Sequence, residues 1–103
     1  MAILLKADGS VAAVSPASGP AFTLAELQAF VGGYIEVVRA PFTEMDSGDP
    51  FWLVLNEDGK REQLAVNRQA TYLYHQAGGA LDDRIVGNVL LATHTEVGGQ
   101  RRR

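Results

Sequence analysis

Six side chains could recognise a ligand: Tyr34, Glu36, Asn56, Lys60, Asn67 and Tyr72, each on or beside a segment that is otherwise strongly apolar. An amide followed four residues later by an ammonium, as in Asn56 and Lys60, suits a carboxylate, a phosphate or the edge of a nucleobase, because the amide donates and accepts while the ammonium supplies charge. Tyr34 and Tyr72 would add stacking rings. Each residue also has a plainer use. Asn56 can close an Asx-turn, Asn67 can cap a helix, Glu36 can face solvent and Tyr72 can pack on a sheet. Residues of these types ordinarily serve the backbone first.

Catalytic and metal chemistry find less support. The chain has no cysteine, which removes thiolate nucleophiles, disulfides, zinc–thiolate sites and iron–sulfur clusters together. His75 and His94 are the only histidines, and neither has a second histidine or a carboxylate at helix spacing. Both read as ordinary loop or strand-end residues, and no metal site is expected. Glu44 to Asp49 is acidic but lacks the ligand spacing and terminal bidentate Glu of an EF-hand, so it reads as a solvated loop. Ser10, Ser15, Ser18 and Ser47 sit in turn contexts without a nucleophile elbow. Gly32-Gly33, Gly78-Gly79 and Gly98-Gly99 match no phosphate-binding loop. No catalytic residue and no cofactor is therefore expected.

These residues must be held by a small framework. The 103 residues are 47% hydrophobic and 20% charged, the profile of one compact domain with one core. No apolar run reaches the length of a membrane span, and Met1 leads into a strand-like segment without a basic leader, so the expected location is the cytoplasm. The net charge of −3 hides an asymmetry, because residues 1–100 carry six basic and twelve acidic side chains and Arg101, Arg102 and Arg103 supply the rest. An acidic body repels phosphate backbones, so nucleic acid is not an expected partner.

Ile3-Leu4-Leu5 and Val11 to Val14 flank Asp8-Gly9 and predict a hairpin with a type I′ turn. Thr23 and Glu26 form a capping box, with Phe22 and Leu27 as its hydrophobic staple, so a helix starts at Leu24 and stops at Gly32-Gly33. Tyr34 to Arg39 predicts a strand ended by Pro41. Phe51 to Leu55, apolar on both faces, predicts a central strand in the middle of the core. A turn with Gly59 in a left-handed conformation follows, and Lys60 to Ala65 could return as a strand. Asn67 caps a second short helix through Ala70, Leu73 and Tyr74. Arg84 to Thr93 is the last strand, with Gly87 marking a bulge or a close approach. The expected fold is α+β, a mainly antiparallel sheet with two short helices on one face, in the order ββαββ(β)αβ. One domain spans residues 1–95, and residues 96–103 form a flexible basic tail.

The block Leu27-Gln28 with Val31-Gly32-Gly33-Tyr34-Ile35-Glu36, followed by Asn56-Glu57-Asp58-Gly59-Lys60, Asn67 and Ala70-Thr71, then Ile85 to Leu91, resembles a family of small proteins of unknown function. That family is encoded by bacteriophages, plasmids and the bacteria that carry them. The resemblance covers nearly the whole chain and implies a small α+β domain in a mobile-element setting, with no catalytic residue attached. The leading expectation is a cysteine-free accessory protein that binds a host or phage protein by charge complementarity. The alternative is a protein that sequesters a nucleotide-like ligand at a homodimer groove, using Asn56, Lys60 and Asn67 with stacking by Tyr34 or Tyr72.

Overall fold

The structure is a computed structural model that describes residues 1–98. It contains five strands and three helices: β1 (Ala2–Leu5), β2 (Val11–Val14), α1 (Leu24–Val31), β3 (Ile35–Thr43), β4 (Pro50–Asn56), α2 (Arg68–Gln76), β5 (Val89–Thr93) and α3 (His94–Val97). The strands form one sheet in the order β2-β1-β5-β4-β3, and every neighbouring pair is antiparallel. The fold is α+β, as the sequence implies. The last strand enters the centre, between the N-terminal hairpin and the β3–β4 hairpin.

Local chemistry explains where the helices start. Thr23 accepts from the Glu26 amide while the Glu26 carboxylate accepts from the Thr23 amide, and Gly32 closes α1 in a left-handed conformation. Asn67 caps α2 through the Ala70 amide. A second capping box, Thr93 with Glu96, starts α3. This third helix corrects the tail boundary. Glu96 and Val97 are buried, so the folded body runs past residue 95, while Gly99 to Arg103 lie outside the described residues.

The helices do not share one face. α1 and α3 cover one side with Leu27, Val31 and Val97 against Val54, Leu90 and Ala92. On the other side α2 lays Ala70, Leu73 and Tyr74 over Leu53, Leu55 and Val89. The cause is the run of apolar residues in β4 and β5, which presents side chains to both sides and needs cover on both. β4 is interior but the middle position belongs to β5. Leu53, Val54 and Leu55 are buried, whereas Phe51 and Trp52 are half-buried, with the Arg39 guanidinium over the Trp52 ring.

Other local expectations change for identifiable reasons. Asp8 is not left-handed; Gly9 alone takes φ 94° in the first hairpin, so the turn is not type I′. Pro41 lies within β3, where the register shifts between Arg39 and Thr43, and it is tolerated because β3 is an edge strand. Lys60 to Ala65 forms turns rather than a strand, and the left-handed residue there is Gln63 at φ 58°, not Gly59. Gly59 is needed for space instead, since a Cβ would lie 2.8 Å from Val86. Gly87, left-handed at φ 79°, delays the last strand to Val89 and lets Leu64 approach to 2.7 Å of where its Cβ would be.

Candidate functional site

Two concave surfaces flank the segment 81–86, which runs from the end of α2 back towards β5. The first is a cleft of about 140 Å³ with Val38, Leu55, Ile85 and Val86 as its apolar part. Glu36, Asn56 and Lys60 all reach it, so three of the six sequence-selected residues converge. Glu57, Tyr74, Asp83 and Arg84 complete the lining.

Its polar groups are largely committed to one another. Lys60 Nζ pairs with Asp83. The other Asp83 oxygen accepts from the Tyr74 hydroxyl at 3.4 Å, and the Arg84 amide donates to Asp83 at 2.9 Å. The Lys60 ammonium, and then the Arg84 amide, hold the Asp83 carboxyl below the ordinary carboxylate value. Asn56 is 4% exposed and spends its amide internally. It donates to the Val31 carbonyl and the Glu62 carboxylate, and accepts from the Asp58 amide as an Asx-turn.

Asn67 is not part of this cleft. It is 1% exposed, and its side-chain N–H groups donate to the carbonyls of Leu5 and Gly87, both at 2.9 Å, while its oxygen caps α2. The bond to Leu5 ties the start of α2 to β1, the bond to Gly87 ties it to the segment before β5 and the third caps the helix, so the residue positions the site without lining it. Tyr34 lines a separate concavity with Gln28, Gly33, Asp58 and Glu62.

Tyr72 lines the second surface, an open groove of about 490 Å³ formed with Val66, Arg68, Thr71, His75, Leu81 and Arg84. Three apolar or aromatic side chains here are unusually exposed: Val66 at 40%, Tyr72 at 62% and Leu81 at 80%. His75 is oriented by its Nε2, which lies 2.8 Å from the Asp83 carbonyl. Among the described residues no carboxylate lines this groove, whereas the cleft beside it carries Glu36, Glu57 and Asp83, and the concavity around Tyr34 carries Asp58 and Glu62. A fourth concavity, at the 44–50 loop, carries Glu44, Asp49 and Glu96. In that loop Glu44 accepts from the Asp46 and Ser47 amides, so the acidic run folds on its own backbone.

Val66, Arg68, His75, Leu81 and Arg84 are not among the residues selected from sequence. Arg68 and His75 belong to a helix with a readable start, but Leu81 lies in a segment without periodicity, and nothing local signals that it returns beside Tyr72. Among the described residues no cluster of three His, Asp or Glu side chains could hold a metal ion, and no helix is long and apolar enough to cross a membrane.

A family model described as a domain of unknown function (DUF3846) matches residues 1–101, and the chain belongs to that family. No curated protein and no solved structure matches the chain.

Proposed function

We propose that the chain is a non-catalytic accessory protein of a phage or plasmid that acts inside the bacterial cell by binding a host or phage protein. The observation that carries this reading is the groove on α2, where Val66, Tyr72 and Leu81 are exposed beside Arg68, His75 and Arg84 with no lining carboxylate among the described residues. In a body of net −6 over residues 1–100, a cationic groove with an apolar floor is complementary to an acidic segment carrying an aliphatic or aromatic side chain. Apolar contact then supplies affinity and the two guanidiniums supply selectivity and rate of encounter. The mobile-element setting rests on the resemblance of the sequence blocks.

The test is capture from host lysate at low and moderate salt with wild type, Arg68→Glu and Tyr72→Ala. Both side chains are exposed, and a glutamate in the first turn of α2 is compatible with the helix dipole. Wild type should recover one specific protein and each variant should lose it. No specific partner in either salt, or recovery insensitive to both substitutions, overturns the reading.

A nucleotide-like ligand is the second reading, because the Tyr72 ring shares the groove with Arg68 and Arg84. It no longer draws on Asn56 and Asn67, whose amides are occupied by the protein itself. Thermal denaturation against a nucleotide panel separates the two, since ligand at 100-fold excess over Kd adds about 2.7 kcal/mol. A flat response favours the protein partner.

A further inference from the structure

The two edges of the sheet are built differently. β3 carries Glu36, Arg39 and Pro41 and shifts register between Arg39 and Thr43, the devices that keep an edge strand from pairing with another chain. β2 has no charge, proline or bulge, and its one protection is its length of four residues. Its sequence is Val11-Ala12-Ala13-Val14, uncharged, and its four pairs with β1 run in unbroken register.

The register shows which backbone groups face outward. The Lys6 amide donates to the Ser10 carbonyl at the hairpin end, so by the alternation of antiparallel ladders Ala12 and Val14 point their N–H and C=O groups towards β1. Val11 and Ala13 point theirs away from the sheet. Val11 is 56% exposed, and Ala13 is exposed as well.

We propose that β2 pairs with β2 of a second copy of this chain, antiparallel about a two-fold axis at Ala12, joining two five-stranded sheets into one of ten. A second copy fits because this register satisfies both protomers at once. Val11 lies opposite Ala13 of the partner subunit and Ala13 opposite the partner's Val11, giving four backbone hydrogen bonds. Two-fold symmetry requires opposed residues to lie on the same sheet face, and Val11 and Ala13 do. Ala12 falls on the axis, in the close non-hydrogen-bonded position where a methyl group fits without displacement. No charge on β2 opposes the approach. The Asp8 carboxylate at the turn is held by the Ser10 amide and hydroxyl. The α2-side face of β1 and β2 then becomes continuous with its copy, lining up exposed Ile3 and Val11 with their equivalents. Four backbone hydrogen bonds between short strands bury less surface than a standard interface, so the association belongs with weak, concentration-dependent contacts, on the order of micromolar to millimolar.

The experiment is sedimentation equilibrium across that concentration range, combined with residue-resolved amide exchange. Wild type should move from the chain mass of 11.1 kDa to twice that mass. The Val11 and Ala13 amides should gain protection as concentration rises, while Ala12 and Val14 are protected throughout. Ala13→Pro removes only an outward donor and should keep the protein monomeric with its far-ultraviolet spectrum intact. Val11→Lys, which places two ammonium groups across the axis, should do the same should the proline variant fail to fold. A monomer at every concentration overturns the proposal. So does a dimer in which the Val11 and Ala13 amides exchange as freely as in dilute protein.

Discussion

Asn67 joins three elements with one amide: it caps α2 and holds the carbonyls of Leu5 and Gly87. Its replacement by alanine leaves two core carbonyls and one helix donor without their partner, which should cost about 3 kcal/mol in urea denaturation. Asn67→Asp should not restore the loss, because a carboxylate keeps the cap but faces two carbonyls it cannot donate to. A variant as stable as wild type would show that the two carbonyl bonds contribute nothing. Asp83 contributes to the pH dependence, as do Asp8, Glu26 and Asp49, whose carboxyls are lowered too. The folded pKa of Asp83 lies below the ordinary 3.8 because of Lys60 first and the Arg84 amide after it. Its contribution is therefore complete above 3.8 and disappears as pH falls through the lower folded value. Lys60→Met should move the Asp83 titration, followed by carboxyl NMR, up towards the ordinary value. An unmoved midpoint would remove Lys60 as the cause. The cap role of Asn67 is legible in sequence from its place before an apolar-periodic run. Its bonds to Leu5, 62 residues away, and Gly87 are not, because no local pattern encodes a partner across the sheet.

Elements with local chemical signatures were readable, and those defined by long-range contacts were not. The capping box at Thr23 and Glu26 depends on side chains three residues apart, so α1 can be placed to its first residue. α3 has the same signature at Thr93 and Glu96, but its position after a strand and before glycines and arginines made it read as tail. The stretch Lys60 to Ala65 contains residues that suit a strand, yet it lies where Gly59 and Gly87 bring the chain close to Leu64 and Val86, and the chain turns instead. Gln63 carries the strain of that turn at φ 58°. Gln63→Gly should raise stability by about 0.5–1 kcal/mol, since glycine adopts the left-handed region without the steric cost that a side chain meets there. An equal or lower denaturation midpoint would show that the strain is relieved some other way. The groove is a product of the same geometry: Tyr72 comes from a recognisable helix, whereas Leu81 reaches it through a segment whose course only tertiary packing sets.

At the scale of the molecule, one sheet separates two apolar layers. Leu27 belongs to the layer under α1 and Leu55 to the layer under α2. Each leucine cut to alanine should cost about 2–5 kcal/mol, and the double variant should lose the sum to within about 0.5 kcal/mol because the two sites share no cluster. A coupling well above that would mean that the layers communicate through the sheet. Antiparallel class follows from composition and periodicity, and the need for cover on both faces from the continuous apolar runs of β4 and β5, but which helix takes which face does not: the loops decide that. The bond from Asn67 to Leu5 bears on the order of assembly. Its two ends lie 62 residues apart, and it can close only once β1 and β5 are already neighbours, so chain-closure entropy is met before this amide returns anything. Asn67 therefore belongs to the late side of the folding barrier. Its loss should act mainly by hastening unfolding, which makes this amide a latch on the lifetime of the native state rather than a guide to reaching it.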